Sequence, residues 1–134
     1  MLKILVPVAV LAGSILIPAA APAAVPAKRV VAKLTGQTRT VKSVAHYRSL
    51  AAVHADLQVT PRRAGRVTVV LQHRSGAKWV TDQTATFPTD AKGHAWVGLV
   101  SGNRKWTYRY AVRAVGDTAA ATSPLATTAS FTVD

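Results

Sequence analysis

The sequence predicts an all-β fold: one antiparallel β-sandwich of seven or eight strands after an N-terminal leader. Three observations carry this. Apolar and polar residues alternate with period two along most of the chain beyond residue 28, clusters of turn-forming residues interrupt the alternation at short intervals, and no stretch there shows a helical stripe. Successive side chains leave a pleated strand on opposite faces, so a strand buried on one side reads as alternation. Many short strands separated by turns describe a sandwich or a barrel.

Residues 1–27 read as a signal peptide. Lys3 is the only charge before Lys28, and "ILVPVAVLAGSILIP" leads into the alanine-rich "AAAPAAVPA". That is the basic, apolar and small-residue order of a secretory leader. Ala21-Pro22-Ala23 and Val25-Pro26-Ala27 both suit signal peptidase, and the boundary after Ala27 is favoured. An uncleaved membrane anchor is the alternative, since the uncharged stretch is long enough to span a bilayer. Pro7, Pro18, Pro22 and Pro26 interrupt it, which suits cleavage better. With no cysteine in the chain, an N-terminal lipid-modified Cys and a disulfide framework are both excluded. The closing "TTASFTVD" offers no apolar tail or basic stop. The expected location is extracellular, free or held non-covalently at the cell wall, with no stable membrane insertion after cleavage.

Residues 28–134 form one expected domain, long enough to bury a core without cross-links. Strands are expected near 29–34, 40–46, 51–60, 66–74, 78–87, 94–100, 105–114 and 127–133. Val53, Ala55, Leu57 and Val59 share one face of the third. In "KWTYRYAVRA", Trp106, Tyr108, Tyr110 and Val112 point one way and Lys105, Thr107, Arg109 and Arg113 the other. Ala129, Phe131 and Val133 alternate with Ser130 and Thr132. The segments "TPRRAGR", "SGA", "PTDAKG", "SGN" and "GDTAAATSP" supply the turns. Val67, Val69, Leu71 and His73 share a face of one hairpin arm; Trp79, Thr81, Gln83, Ala85 and Phe87 share a face of the next. Periodicity leaves open which side of that second arm meets the core. A tryptophan just after a hairpin turn commonly caps the end of a core; an exposed platform is the other reading of Trp79.

The valine-rich strand ending in "LQHRSGAKW", then "TDAKG", the tyrosine-rich "WTYRYAVRAVGD" and "TSPLATTASFTV" together resemble the immunoglobulin-like domains of bacterial secreted and surface proteins. The resemblance covers residues 50–134 and is a pattern of strands and turns. It implies an immunoglobulin-like β-sandwich serving as an adhesive, spacer or wall-associated module, and it brings no catalytic residues. The paired cysteines of the antibody branch are absent. Enediyne-binding apoproteins are similar in size, but rely on disulfides this chain lacks.

Motifs for chemistry are few. Ser75-Gly-Ala-Lys78 fits S-x-x-K and Ser101-Gly-Asn103 fits S-x-N, the order of the penicillin-binding serine enzymes. That chemistry needs Ser and Lys one turn apart on a helix, whereas Gly76 sits in an expected hairpin turn. His54 and Asp56 project from one face of a strand, but no H-x-H, HExxH or cysteine ligand accompanies them, and His46, His73 and His94 are scattered. No phosphate loop and no nucleophile elbow is present. The expectation is a non-enzymatic protein without cofactor or metal.

Charge is more informative. Without Lys3 the chain carries 16 Lys and Arg against five Asp and no Glu, a balance of +11. Such an excess attracts polyanions. In a sequential sandwich the 75–77 turn and the 101–104 loop share one end. That groups Arg74, Lys78, Arg104 and Lys105, with Trp79 and Trp106 close by and Arg48 adjoining. Arg62, Arg63 and Arg66 form a separate corner, and Arg109 and Arg113 project from the outer face. Guanidinium groups beside aromatic rings suit phosphate or carboxylate groups on a polymer. The candidate polyanion-binding residues are therefore Arg74, Lys78, Arg104, Lys105 and Trp79, and the candidate partners are a cell-wall polymer or an acidic glycan. The alternative function is a protein–protein interaction module with one specific partner. The plain alternative for the charge is solubility alone.

Overall fold

The computed structural model describes residues 25–134. Most of the expected signal peptide, residues 1–24, lies outside them. The described residues are all-β, with two sheets packed around one core. Its strands are β1 (Arg29–Thr35), β2 (Arg39–Val41), β3 (Val44–Tyr47), β4 (His54–Thr60), β5 (Arg66–Ser75), β6 (Lys78–Pro88), β7 (His94–Gly98), β8 (Thr107–Ala114), β9 (Ala126–Thr127) and β10 (Ser130–Val133). The smaller sheet runs β1-β4-β7. The larger runs β2-β3-β10-β8-β5-β6, with β9 also on β8. β10 lies parallel to β3 and antiparallel to β8. Among the described residues no helix is long and apolar enough to cross a membrane.

The alternating runs face the core as their spacing requires. Val53, Ala55, Leu57 and Val59 are buried from the small sheet, and Val67, Val69, Leu71, Tyr108, Tyr110 and Val112 from the large one. Phe131 is 0% exposed. Three tyrosine rings surround it: Tyr110 at 5.3 Å, Tyr108 at 5.7 Å and Tyr47, edge-on, at 5.9 Å. Burial raises the Tyr110 hydroxyl well above its ordinary pKa, with a smaller contribution from Tyr47. Among the described residues that hydroxyl is buried without a hydrogen-bond partner. Stranding a buried polar group costs about 1–3 kcal/mol. Tyr110→Phe is therefore expected to leave stability unchanged or raise it by about 1 kcal/mol, read as the urea midpoint. A clear loss would mean the hydroxyl has a partner in solution.

Three expected strands are remodelled. The 40–46 run is two strands, because Lys42 and Ser43 both take positive φ (50° and 67°) and form a two-residue hairpin turn joining Val41 to Val44. Both central residues of such a turn need left-handed backbone, and Lys-Ser gives no compositional warning of it. The 51–60 run opens with a short 3-10 turn, Leu50–Ala52, before β4. The 127–133 run breaks at Thr128, whose hydroxyl accepts the Tyr110 N–H at 3.0 Å. A side chain there takes the place of a ladder carbonyl, and Ala129 turns out to solvent.

Turn chemistry explains the connection between β6 and β7. Asp90 Oδ1 accepts the N–H groups of Lys92 (2.8 Å) and His94 (2.9 Å), and these bonds hold its carboxyl below the usual range, His94 contributing most. Gly93 follows at φ +74°, where a Cβ would stand 2.8 Å from the Val59 carbonyl oxygen. Only glycine fits that position.

The N-terminal approach is stitched in before β1 begins. Ala27 bridges Ala121 in parallel, Pro26 accepts the Ala121 N–H at 3.0 Å, and Lys28 donates to Ala121 at 2.8 Å. Of the two cleavage points read in the sequence, the one after Ala23 retains the bridge and the one after Ala27 removes it.

Candidate functional site

The strand register decides where the candidate aromatic stands. From Ser75↔Lys78 the β5–β6 hairpin pairs Arg74 with Trp79, His73 with Val80 and Gln72 with Thr81; Leu71 then meets Gln83, leaving Asp82 unmatched. Gly76, at φ +62°, makes the two-residue turn. The S-x-x-K serine and lysine therefore oppose each other across a hairpin and do not line up on a helix. An extra residue in one strand inverts the facing of everything beyond it. Gln83, Ala85 and Phe87 consequently turn inward with Val67, Val69 and Leu71, whereas Trp79 and Thr81 turn outward with Arg74 and Gln72. The single face expected for these five β6 residues does not exist.

Trp79 is half-buried on the outer face of the large sheet, between two guanidinium groups. Arg109 lies 4.4 Å from the ring centroid and Arg74 5.7 Å. Arg109 is oriented by its Nε–H, which donates to Gln72 Oε1 at 2.8 Å, and Arg74 Nε–H donates to the Gly76 carbonyl at 3.1 Å. Cations over an indole face are attracted by its quadrupole. The sequence marked Arg109 as outward-facing, but pairing it with Trp79 requires knowing that β8 is the neighbour of β5.

The other candidates surround the same end of the sandwich. Lys105 has φ +68°, and its N–H donates to the Val133 carbonyl at 2.7 Å. Arg104 donates to the backbone carbonyls of Asp134 and Arg48, so its guanidinium is directed toward the end of β10. Lys78 stands opposite Ser75 at the turn. A cleft of about 430 Å³ lies between Arg74, Ser75, Lys105, Trp106 and Thr107. Arg63, from the separate basic corner, pairs with Asp117.

The carboxylates are all engaged elsewhere. Asp56 faces His54 (3.2 Å) and His94 (3.4 Å), Asp82 faces His73 (2.8 Å), and Asp134 faces His46 (2.8 Å) and Arg39 (3.4 Å). Asp117 holds Lys28 (3.1 Å) and Arg63 (3.0 Å), and Asp90 closes its own turn. The His46 bond, foremost, holds the Asp134 carboxyl below its ordinary value. No carboxylate lies within 4.0 Å of Arg74, Lys78, Lys105 or Arg109 among the described residues. The five aspartates named here are all the acids the sequence contains.

Residues the sequence left scattered come together on the outer face of the small sheet. His94 joins His54 at Asp56, and the His54 ring stacks on Trp96 at 5.1 Å and 14°. Trp96 is 59% exposed. Among the described residues no group of three or more His, Asp, Cys or Glu side chains is arranged to hold a metal ion. Comparison with protein-family models, with curated proteins and with solved structures finds no match for this chain.

Proposed function

We propose that this chain is a secreted, non-catalytic binding module of immunoglobulin-like type that adheres to polyanions of the cell envelope or another extracellular surface. The observation that carries this reading is the setting of Trp79, held between Arg109 and Arg74 with every carboxylate engaged elsewhere. A flat sheet face presenting fixed guanidinium groups suits phosphate or carboxylate groups repeated along a polymer. The immunoglobulin-like assignment draws support from the crossing of the chain between sheets and from β3 running parallel to β10. The leader-like first residues support export.

The experiment is binding of the secreted protein to inorganic polyphosphate and to purified wall polymer across a salt series. Binding is expected to fall steeply with salt. Arg74→Gln combined with Arg109→Gln is expected to weaken it about tenfold or more at low salt and to flatten the salt dependence. Unchanged affinity and slope in that double variant would sink the site.

A second reading, pairing with a specific protein, is favoured by β6. Its 11 residues form an edge whose only ladder neighbour among the described residues is β5. An open edge is a template for an added strand. Complexes formed that way would resist salt.

A further inference from the structure

The large sheet outruns the small one at the end that carries Trp106. β5 has 10 residues and β6 has 11, against five in β7. The inward faces of β5 and β6 therefore overhang the core there, and the loop after β7 covers them only in part. Beneath the overhang is a second cleft of about 430 Å³, lined by His73, Asp82, Gln83, Ser101, Asn103 and Trp106. His73 and Trp106 also line the basic cleft of Arg74 and Lys105, so the two spaces share a wall.

We infer that these joined clefts bind a saccharide. Trp106 supplies the platform, the groups around Asp82 hold hydroxyls, and Arg74 and Lys105 receive an acidic substituent. The inference rests on the polyanion reading for its charged half and narrows the ligand to an acidic glycan held by its sugar ring as well as by its charge.

A sugar ring has an apolar face of C–H bonds and a rim of hydroxyls, each both donor and acceptor. Recognition needs a flat polarisable surface and planar polar groups spaced to meet neighbouring hydroxyls. Trp106 is 44% exposed, and its indole is backed by the His73 ring at 4.7 Å. The polar groups are fixed in advance. His73 Nδ1 lies 2.8 Å from each oxygen of Asp82, and Gln83 Nε2 donates to Ser101 Oγ at 3.2 Å. Asn103 is anchored through its backbone N–H, which donates to the Tyr108 hydroxyl at 2.6 Å, and its side chain lines the cleft. Ligand pockets commonly have this volume and combine aromatic walls with a few oriented polar groups. Pre-ordered groups lose little entropy on binding.

Charge sets the direction of the ligand. Asp82 repels an acid group from the overhang cleft, and Arg74 and Lys105 attract one to its neighbour. A neutral sugar alone fills half the site; a polyphosphate fills only the other.

The test titrates the secreted protein with oligogalacturonate and, separately, inorganic polyphosphate, by tryptophan fluorescence and calorimetry. At about 1 M salt, where the screening length is about 3 Å, oligogalacturonate is expected to bind still and polyphosphate to be released. Trp106→Ala is expected to lose about tenfold in affinity for oligogalacturonate at high salt. Trp106→Phe, which keeps a ring, is expected to retain most of that affinity and guards against a folding defect. Arg74→Gln with Lys105→Gln is expected to remove only the salt-sensitive part. Loss of all oligogalacturonate binding at high salt, or a Trp106→Ala variant that binds like the parent, would overturn the saccharide site. Polyphosphate binding that persists at low salt in that case leaves the polyanion reading standing. Oligogalacturonate held at high salt without polyphosphate binding at any salt does the reverse.

Discussion

Replacing Phe131 by alanine is expected to remove about 3–5 kcal/mol of stability, enough to leave a domain of ordinary stability, about 5–15 kcal/mol, close to unfolding. The ring is fully buried and touches Tyr47, Tyr108 and Tyr110. These residues come from β3, β8 and β10, so one side chain ties together three neighbouring strands of the large sheet. Truncation removes the buried area and leaves a cavity that three stiff rings fill poorly. Urea unfolding followed by tyrosine fluorescence gives the number. A loss under about 1 kcal/mol would mean that the tyrosines close over the gap and that the core is less tightly determined than its ring geometry suggests.

The second large effect concerns Asp117. Its carboxylate accepts hydrogen bonds from the N–H groups of Ala119 and Ala120 at 2.8 and 2.9 Å and from Arg63 at 3.0 and 3.1 Å, and pairs with Lys28 at 3.1 Å. The Ala119 N–H, then Lys28 and Arg63, hold its pKa far below the usual carboxylate range. The Lys28 side chain is 3% exposed. Asp117→Asn therefore strands a buried ammonium beside a partly freed guanidinium, and a marked fall in urea midpoint at neutral pH is expected. Because the folded-state pKa is depressed, the stabilisation is complete above the unfolded value of about 3.9 and is lost as pH falls through the folded value. The gap between parent and variant is expected to be widest at neutral pH, to narrow from about pH 4 downward, and to vanish in strong acid. A gap that ignores pH would assign the effect to turn geometry.

Much of this architecture is legible in the residues. Val53 to Val59 alternate in a strand exposed on one face, and the tyrosines of β8 alternate with Arg109 and Arg113. Turn residues such as Gly76 and Gly93 announce themselves because few alternatives satisfy a positive φ. What is not legible involves register and partnership. The unmatched Asp82 changes the facing of half a strand, and period-two counting cannot detect an insertion whose only signature is in the neighbouring strand. Lys42 and Ser43 turn the chain without a turn-like composition. Nothing in the sequence marks Lys28 as buried, yet it pairs out of solvent with Asp117, far along the chain. The candidate site shows the same division. Arg74 and Trp79 are close in sequence and meet across a hairpin. Arg109 above Trp79, Asp82 on His73 and His94 at Asp56 depend on strand neighbours that only the fold supplies.

All five aspartates are occupied with histidines, buried or partly exposed cations, or their own turn, so the outward-facing arginines and lysines must draw their neutralising anions from solution. The free protein travels with a cloud of small ions, and so does any polyanion it meets. Their association dismisses part of both clouds, and mixing those ions into the bulk supplies entropy that no contact in the interface records. An adhesion of that kind is reversible by ionic conditions alone. On the polyanion reading, a rise in external salt would weaken the charge-borne part of that adhesion without unfolding the protein.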